Sequence, residues 1–492
     1  MSIEAQRVEL SLVSHTNVGK TTLARSLLGR DVGEVRDAPH VTALAEPFSM
    51  IETAQGDILR LWDTPGFGDS ARLAQRLAQS GNPIGWLLSQ VWDRWRDRAF
   101  WSSQQAVKNV REVADVVLYL VSAAEDPAHA GYVEPEMRIL EWIGKPVILL
   151  LNQVGPPRPA IEEQAELQRW RSHVAAHAFV HEVMTLDAFA RFWVQEFRLL
   201  DAVATALPAP KHPAFGRLSQ AWRERRLEQF KQSMRIVGGL VACVACDREA
   251  MPEQSIGDRL REVGALFGAG GNGDGAKARA SEQLAQRYRH AVRDAADQLI
   301  SLHGLQGRAT ETVLARVTES VSAEEPVHEG KAAVLGGLVS GALSGLAADL
   351  ASGGMTFGAG LLTGGLLGAL GAAGLAHGFN LVRGGDQTVM TWSDEFLLDL
   401  VSTQLLTYLA VAHFGRGRGE WRESEHPAFW RSEVQAVLLV RRERLLQVLA
   451  GRAGVAPGQL AERLQAEMHD AARAVIQRLY PEAVVIPAGI RP

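Results

Sequence analysis

One nine-residue stretch near the start of the chain limits the fold more than any other feature. Residues 14–22 read SHTNVGKTT and end in the Gly-Lys-Thr that closes a phosphate-binding loop. Such a loop lies between a strand and a helix, because its backbone N–H groups surround a phosphate at the helix N-terminus. Residues 8–13 are apolar enough for a buried strand, and Leu23, Leu27 and Leu28 follow at helical spacing. The stretch therefore predicts strand, loop and helix in that order.

Four further segments predict strands, at residues 58–62, 116–121, 147–151 and 180–184, and the second and third are continuous apolar runs typical of a parallel sheet that is covered on both faces. Helical patterns separate them, so residues 1–206 predict an α/β domain of the P-loop type, doubly wound around a mainly parallel sheet. Residues 69–114 interrupt this plan with Trp86, Trp92, Trp95 and Trp101. We expect a helical insertion there, packed on the sheet or facing a partner or a membrane.

The character of the chain changes after a proline-rich linker, LPAPKHPAF, at residues 207–215. Residues 207–330 and 385–492 carry amphipathic helical patterns, and residues 331–384 between them are glycine-rich and apolar. A chain of 492 residues is too long for one hydrophobic core. We therefore expect a mostly α-helical domain with a Gly-rich helical hairpin behind the α/β domain.

Two interpretations of the glycine-rich segment stay open. In the first, residues 332–348 and 355–381 form a membrane hairpin, since each is near the about 20 residues that cross a bilayer. Glycines at four-residue spacing, such as Gly337, Gly341 and Gly345, let membrane helices approach closely. In the second, the hairpin is buried in a soluble domain, because Gly and Ala contribute little transfer energy. We expect membrane association.

The phosphate-binding loop carries the groups that a nucleoside triphosphate site needs. Gly19 lets the backbone approach a phosphate, and Lys20 brings a positive charge to the β- and γ-phosphate oxygens. Thr21 offers a hydroxyl ligand for Mg²⁺. Because short patterns also arise by chance, the loop needs companions elsewhere in the chain.

Those companions follow in the order expected of a GTPase. Asp63 comes directly after the strand at residues 58–62, where its carboxylate can reach Mg²⁺. The N–H group of Gly66 can sense a γ-phosphate. Between loop and strand, Thr42 is a candidate for closing over the γ-phosphate and the metal.

This set of motifs resembles the translation-factor-like GTPases, in particular the branch with Era and the tRNA-modifying GTPase TrmE. TNVGKTT and DTPGF are similar to that branch almost letter for letter, and the resemblance covers residues 6–190. The layout also resembles bacterial GTPases that carry an Era-like domain and a long helical C-terminal domain of unknown function. The resemblance implies GTP and GDP as ligands, Mg²⁺ as cofactor and GTP hydrolysis as activity.

The resemblance also assigns roles to residues of this chain. The catalytic residues it implies are Lys20, Thr42 and Asn17, and the Mg²⁺ ligands are Thr21, Thr42 and Asp63. In the TrmE-like branch the asparagine at the Asn17 position helps to bind a K⁺ ion that replaces an arginine finger, which makes K⁺ a candidate second cofactor. The nucleotide-binding residues it implies are Asn17, Val18, Gly19, Lys20, Thr21, Thr22, Asp63, Gly66, Asn152 and Gln153.

Three positions depart from that pattern. Ser14 replaces the first glycine of the loop. Gly155 stands where the N-K-x-D motif places the carboxylate that reads guanine, so the base preference is open unless an acidic residue elsewhere takes over. Phe67 replaces the glutamine that orients water in Ras-type GTPases. Residues 185–186 are a candidate for a further base-contacting loop.

Composition excludes some classes of protein. A net charge of −5 gives no electrostatic reason to expect nucleic acid as a partner. Cys243 and Cys246 cannot form a disulfide framework and lack the second pair of ligands that a zinc site needs. We therefore expect them to lie on a helix and to pack into the protein core. The N-terminus has no apolar segment typical of a signal peptide. We expect a cytoplasmic protein associated with the inner membrane.

These observations favour a GTP-hydrolysing switch that acts at or near the inner membrane through its helical part, with a membrane or a membrane protein as partner. Three alternatives stay open: a nucleotide-binding scaffold without hydrolysis, a dynamin-like membrane-remodelling protein and an RNA-directed GTPase. A homo-oligomer is a further option. Turnover measured with and without liposomes separates a GTPase from a scaffold.

Overall fold

The structure is a computed structural model that describes residues 5–29, 46–79, 98–154, 160–187, 192–250, 273–305, 379–384, 387–413 and 429–481. Its contacts divide the chain into two compact units. Unit 1 comprises Met1–Leu227, His413–Pro427 and Glu482–Val484, and unit 2 comprises Glu228–Ala412, Ala428–Pro481 and Val485–Pro492.

Unit 1 is built around a six-stranded sheet in the order β2-β3-β1-β4-β5-β6. The strands are β1 (Arg7–Ser14), β2 (Glu46–Glu52), β3 (Ile58–Asp63), β4 (Val116–Ser122), β5 (Val147–Asn152) and β6 (Val180–Thr185). β2 pairs antiparallel with β3, and every other neighbouring pair is parallel. The carboxyl ends of the parallel strands therefore meet at one edge, where open α/β sheets bind ligands.

Helices connect these strands. They are α1 (Lys20–Leu28), α2 (Ser70–Gln79), α3 (Arg98–Glu112), α4 (Val133–Ile143), α5 (Ala160–Val174) and α6 (Trp193–Ala206). The two described parts of the expected insertion at residues 69–114 are α2 and α3, whereas Trp86, Trp92 and Trp95 lie outside the described residues.

The predicted strands are confirmed, and burial explains why the sequence revealed them. Every residue of β4 and of β5 is buried, because helices cover both faces of the sheet. A strand buried on both faces reads as a continuous apolar run, such as VVLYLV in β4. The fold class predicted from the sequence is confirmed for this unit.

A turn of 3₁₀ helix (Ala209–Lys211) leads into α7 (His212–Cys246), which has Pro213 in its first turn. Two cationic side chains at the start of this stretch, both within unit 1, pair with carboxylates of the same unit. Lys211 pairs with Asp115 at 2.5 Å, and Arg217 makes two hydrogen bonds to the buried carboxylate of Asp57 at 2.6 and 2.9 Å. The Arg217 guanidinium lowers the pKa of Asp57.

Unit 2 is mostly helical, as the sequence predicts. Its described helices after α7 are α8 (Gly273–Leu302), α9 (Asp394–Ala412), α10 (Phe429–Ala450) and α11 (Pro457–Leu479), with a 3₁₀ turn at Gly451–Ala453. Trp392 stacks on Phe396 with ring centroids 4.2 Å apart, and Tyr288 contacts both rings. This aromatic cluster is part of the unit's buried core.

Three short strands in unit 2 were not predicted. β7 (Arg248–Ala250), β8 (Phe379–Gly384) and β9 (Gln387–Trp392) form an antiparallel sheet in the order β7-β9-β8. The expectation that the second glycine-rich helix runs to residue 381 is therefore wrong, because Phe379, Asn380 and Leu381 pair with β9. β9 also pairs with β7, which lies more than 120 residues earlier in the chain. Local sequence patterns do not encode such a non-local pairing.

The rest of the predicted glycine-rich hairpin, residues 331–378, lies outside the described residues. Within the described part of the chain, α9 is the one helix long and apolar enough to cross a membrane, and most of its apolar window is buried. The helix of a soluble core meets the same test of length and composition.

The expectation for the two cysteines is half right. Both lie on a helix, the last turns of α7, but Cys243 is exposed and Cys246 is half-buried. The buried stripe of this helix runs through Val237, Val241 and Val244, and Cys243 faces away from it.

Candidate functional site

The turn between β1 and α1 has the backbone of a phosphate-binding loop. Asn17 and Gly19 have left-handed φ angles of 64° and 92°, and Gly19 is the N-cap of α1. A Cβ atom on Gly19 would lie 2.7 Å from Nδ2 of Asn152, so only glycine fits there. The Asn152 side chain therefore packs closely against the turn from which α1 begins.

The Lys20 side chain folds back over this turn. Its Nζ donates to Oγ of Ser14 at 3.0 Å and lies 3.5 Å from the carbonyl oxygen of His15. Burial lowers the pKa of Lys20, and the carboxylates of Asp63 and Glu136 oppose that shift. The lysine is thus held by oxygen acceptors at the start of α1, close to two negative charges.

Ser14, the departure from the usual glycine, has a contact of its own. It is fully buried, and its hydroxyl accepts from Lys20 Nζ and donates to the carbonyl oxygen of His15. The serine therefore supplies an acceptor that glycine could not. The sequence motif gave no signal of this role, since it specifies glycine, which has no side chain, at this position.

Thr21 and Asp63, predicted as metal ligands, meet at the end of β3. The Thr21 hydroxyl donates to Asp63 Oδ2 at 2.6 Å, although 42 residues separate them. Next to Asp63, the Thr64 hydroxyl donates to the carbonyl oxygen of Leu12 at 2.5 Å, which ties the end of β3 to β1. Thr22 and Val18 are buried beneath the loop.

The turn after Asp63 lies directly over the phosphate-binding loop. The backbone N–H of Phe67 donates to the carbonyl oxygen of Ser14 at 2.9 Å. A Cβ on Gly66 would lie 3.0 Å from Lys20 Nζ and 3.2 Å from Thr16 Cα. Gly66 therefore faces the lysine head group, whereas the Phe67 side chain is buried in the core with Val13 and Leu73.

The loop after β5 is joined to the phosphate-binding loop by its side chains. Asn152 is buried, and its Nδ2 donates to the carbonyl oxygen of Val18 at 2.6 Å. Gln153 has a left-handed φ of 56°, and its Nε2 lies 3.5 Å from the carbonyl oxygen of Asn17. These two predicted nucleotide-binding residues thus lie against the end of the phosphate-binding loop.

A carboxylate that the sequence analysis did not single out lies in the same corner. Asp187 follows β6, and its Oδ2 accepts from the backbone N–H of Val154 at 2.8 Å. The side chain is largely buried. Its one sequence signal is its place directly after the candidate base-contacting residues 185–186.

A buried polar network supports the phosphate-binding loop from α4. His15 Nδ1 lies 2.9 Å from Oε1 of Glu136, and the Tyr119 hydroxyl donates to Glu136 Oε2 at 2.7 Å. Tyr132 stacks on His15 with ring centroids 4.4 Å apart. Burial raises the pKa of Glu136, and the hydrogen bond to His15 opposes that shift. Sequence reasoning missed this network because Glu136 lies in an ordinary amphipathic helix.

Two expected residues lie outside the described part of the chain. These are Thr42, expected to close over a γ-phosphate, and Gly155, the position without the expected carboxylate. The role of Thr42 therefore stays a prediction.

The described residues fit a phosphate group with its Mg²⁺. The turn is so tight that a Cβ at Gly19 would collide with Asn152, and Lys20 provides a cation beside the turn. Thr21 and Asp63 provide a hydroxyl and a carboxylate, the hard oxygen ligands that Mg²⁺ prefers. Among the described residues no three His, Cys, Asp or Glu side chains cluster as metal ligands. Mg²⁺ sites commonly use one or two carboxylates together with phosphate oxygens.

Two family profiles match the chain. The profile described as "50S ribosome-binding GTPase" matches residues 9–153, and that of a domain of unknown function, DUF3482, matches residues 173–480. The first match contains the phosphate-binding loop, Asp63 and Asn152. The second covers more than half of the chain.

Individual relatives match over shorter shares of their length. The chain is 25% identical to GTPase Der of Mycobacterium bovis (strain BCG / Pasteur 1173P2) over 263 residues, which cover 54% of this chain and 47% of that protein. It is 25% identical to GTPase Era of Geotalea uraniireducens over 203 residues, which cover 41% and 55%. The chain thus spans about half the length of these relatives, and 27% of a Der protein from Ligilactobacillus salivarius.

Solved structures of Era are also similar. A variant of Aquifex aeolicus Era bound to GDP and AlF4⁻ has a TM-score of 0.32 and 20% identity, and covers 41% of this chain and 57% of that one. Era in complex with MgGDPNP and a segment of 16S ribosomal RNA gives the same TM-score and identity, with coverage of 42% and 58%.

Proposed function

The chain belongs to the DUF3482 family and carries an Era-like P-loop GTPase domain in front of the family domain, and from this premise we propose that it is a GTP- and GDP-binding switch that hydrolyses GTP. One observation carries the proposal. Lys20, Thr21 and Asp63 converge beside the Gly19 turn, although they belong to two separate motifs.

Each of these residues has a task in the proposed mechanism. Lys20, which the Ser14 hydroxyl orients, neutralises charge on the β- and γ-phosphate oxygens. Thr21 and Asp63 would hold Mg²⁺, which supplies charge neutralisation on the transferred phosphoryl group when bound. Gly66 lies beside the Lys20 head group, its N–H responds to the presence of a γ-phosphate, and the loop around Thr42 closes over that phosphate.

The central test is removal of the lysine. Lys20→Ala should weaken GTP binding by on the order of a hundredfold or more in isothermal titration calorimetry with Mg²⁺, because a charge-assisted contact to phosphate is lost. Lys211→Ala, which removes a cation far from the loop, is the matched control and should bind GTP as the wild type does. Unchanged affinity of Lys20→Ala would sink the site assignment.

Hydrolysis raises a separate question, because the buried Phe67 side chain cannot orient water. We propose that Asn17, exposed at the turn, takes part in K⁺-assisted turnover, as its match to the TrmE-like branch suggests. GTP turnover should then be several-fold faster in KCl than in NaCl at equal ionic strength, and Asn17→Ala should remove the difference. Equal rates in the two salts would contradict the K⁺ part of the proposal and leave nucleotide binding intact.

Membrane association stays a proposal from the sequence of residues 332–381. The same turnover assay with and without liposomes tests it. A protein that neither sediments with the liposomes nor changes its rate would contradict this part.

A further inference from the structure

Position 155 holds no carboxylate, so another group must read the base if this site prefers guanine. We propose that Asp187 supplies that carboxylate and accepts hydrogen bonds from the N1–H and the 2-amino group of guanine. The inference rests on the proposed function, since it concerns the base of the same bound nucleotide. It assigns base specificity to the loop after β6 instead of the loop after β5.

The topology brings Asp187 to the right edge of the sheet. β5 and β6 are parallel neighbours in which Leu151 lies opposite Thr185. The backbone N–H of Leu186 donates to the carbonyl oxygen of Leu151 at 3.0 Å, so the pairing continues just past β6. Asn152 and Asp187 therefore emerge side by side, at the edge where β1 gives way to the phosphate-binding loop.

A direct hydrogen bond joins the Asp187 carboxylate to the loop after β5, the loop that has a glycine at position 155 instead of an aspartate. Oδ2 of Asp187 accepts from the N–H of Val154 at 2.8 Å, and Val154 is the residue before Gly155. The carboxylate thus contacts the residue that directly precedes, in the sequence, the position at which the common motif provides its own. Asp187 is 7% exposed, so bonds to a ligand would form in a poorly solvated place, where they are stronger.

The same loop is joined to the phosphate-binding loop. Asn152 bonds to the carbonyl oxygen of Val18, and Gln153 approaches that of Asn17. One nucleotide can therefore contact Lys20 with its phosphates and this corner with its base.

The chemistry of a carboxylate selects guanine among common bases. Guanine presents two adjacent donors, N1–H and the 2-amino group, and a carboxylate offers only acceptors. Adenine presents an acceptor at N1 and lacks the 2-amino group. Xanthine presents N1–H beside a carbonyl oxygen, which repels a carboxylate but suits the mixed donor and acceptor of an amide.

The test exchanges the carboxylate for an amide. Affinities for GTP, XTP and ATP are measured by calorimetry with Mg²⁺ and K⁺ for the wild type, Asp187→Asn and the control Asp201→Asn, which alters a carboxylate that pairs with Arg223. Asp187→Asn should lose about tenfold to hundredfold in GTP affinity and gain XTP affinity. Asp201→Asn should keep the wild-type ratio.

The alternative role for Asp187 is structural, with its contacts, among them the Val154 N–H, all inside the protein. An asparagine oxygen keeps that bond, so an unchanged ratio of GTP to XTP affinity in Asp187→Asn would overturn the inference. If the variant does not fold, the wild type decides with ITP, which lacks the 2-amino group: ITP binding as tight as GTP binding would overturn it, and weaker ITP binding supports it. If the wild type binds GTP, XTP and ATP with equal affinity, only this inference is contradicted. If the wild type binds no nucleotide, the proposed function is contradicted as well.

Discussion

The phosphate end and the base end of the candidate site are built differently. At the phosphate end, Lys20 bonds to Ser14 within one motif, and Thr21 in α1 bonds to Asp63 of a second motif at the end of β3. At the base end, two loops after β5 and β6 share one carboxylate contact, from Asp187 to Val154. Backbone N–H groups and one lysine suffice for any phosphate, whereas a base must be read by side chains.

The difference shows how freely each end can vary. A phosphate-binding loop depends on consecutive backbone conformations, so its residues must stay together in the sequence. A carboxylate that reads a base needs only the right position in space. It can therefore lie in any loop at the same sheet edge, which is what we infer for Asp187.

Gly19 of the phosphate end contacts Asn152 of the base end. Of the substitutions that compare the two ends, replacing Gly19 should change GTP affinity most. Gly19→Ala places a Cβ 2.7 Å from Asn152 Nδ2 at a φ of 92°. Strain of about 1–3 kcal/mol should weaken GTP binding by about tenfold to a hundredfold, because the turn and the Asn152 loop must both shift. Calorimetry with GTP measures the loss.

Gly29→Ala is the matched control for Gly19→Ala. Gly29 also has a left-handed φ, 65°, but a Cβ there would contact nothing within 4 Å. This variant should lower the thermal unfolding temperature through backbone strain and leave GTP affinity unchanged. Equal losses of affinity in the two variants would mean that strain alone, and not the contact between the two ends, explains the effect.

The same contrast explains how much the sequence could predict. The strand before the loop, Lys20, Thr21 and Asp63 were accessible because buried parallel strands and G-K-T motifs are local patterns. Local patterns could not indicate Asp187 or Glu136, whose contacts span 33 and 121 residues. Membership of a local motif decided what was found: Thr21 and Asp63 each lie in one and were predicted although 42 residues separate them, whereas Asp187 and Glu136 lie in none.

In unit 2 the same limit applies to the sheet. Amphipathic periodicity predicted helices such as α8 and α11 correctly. The strands β7 and β8 are short, and the partner of both, β9, makes them a sheet only through pairing. Three-residue β7 carries too little pattern to be recognised alone.

Ser14 gives the smallest expected effect and the sharpest test of the phosphate end. Ser14→Gly restores the usual residue of the motif but removes the hydroxyl that accepts from Lys20 Nζ at 3.0 Å. The hydroxyl acts on the nucleotide only by orienting the lysine, so GTP affinity should fall only about twofold to tenfold, which is about 0.5–1.5 kcal/mol of binding free energy. Ser11→Ala is the control, because Ser11 is a buried serine of the same strand that bonds to Asn109 instead. It should lower stability and keep GTP affinity. If Ser14→Gly binds GTP as tightly as the wild type, backbone geometry alone governs the phosphate end, and the hydroxyl of Ser14 only fills space beneath the loop.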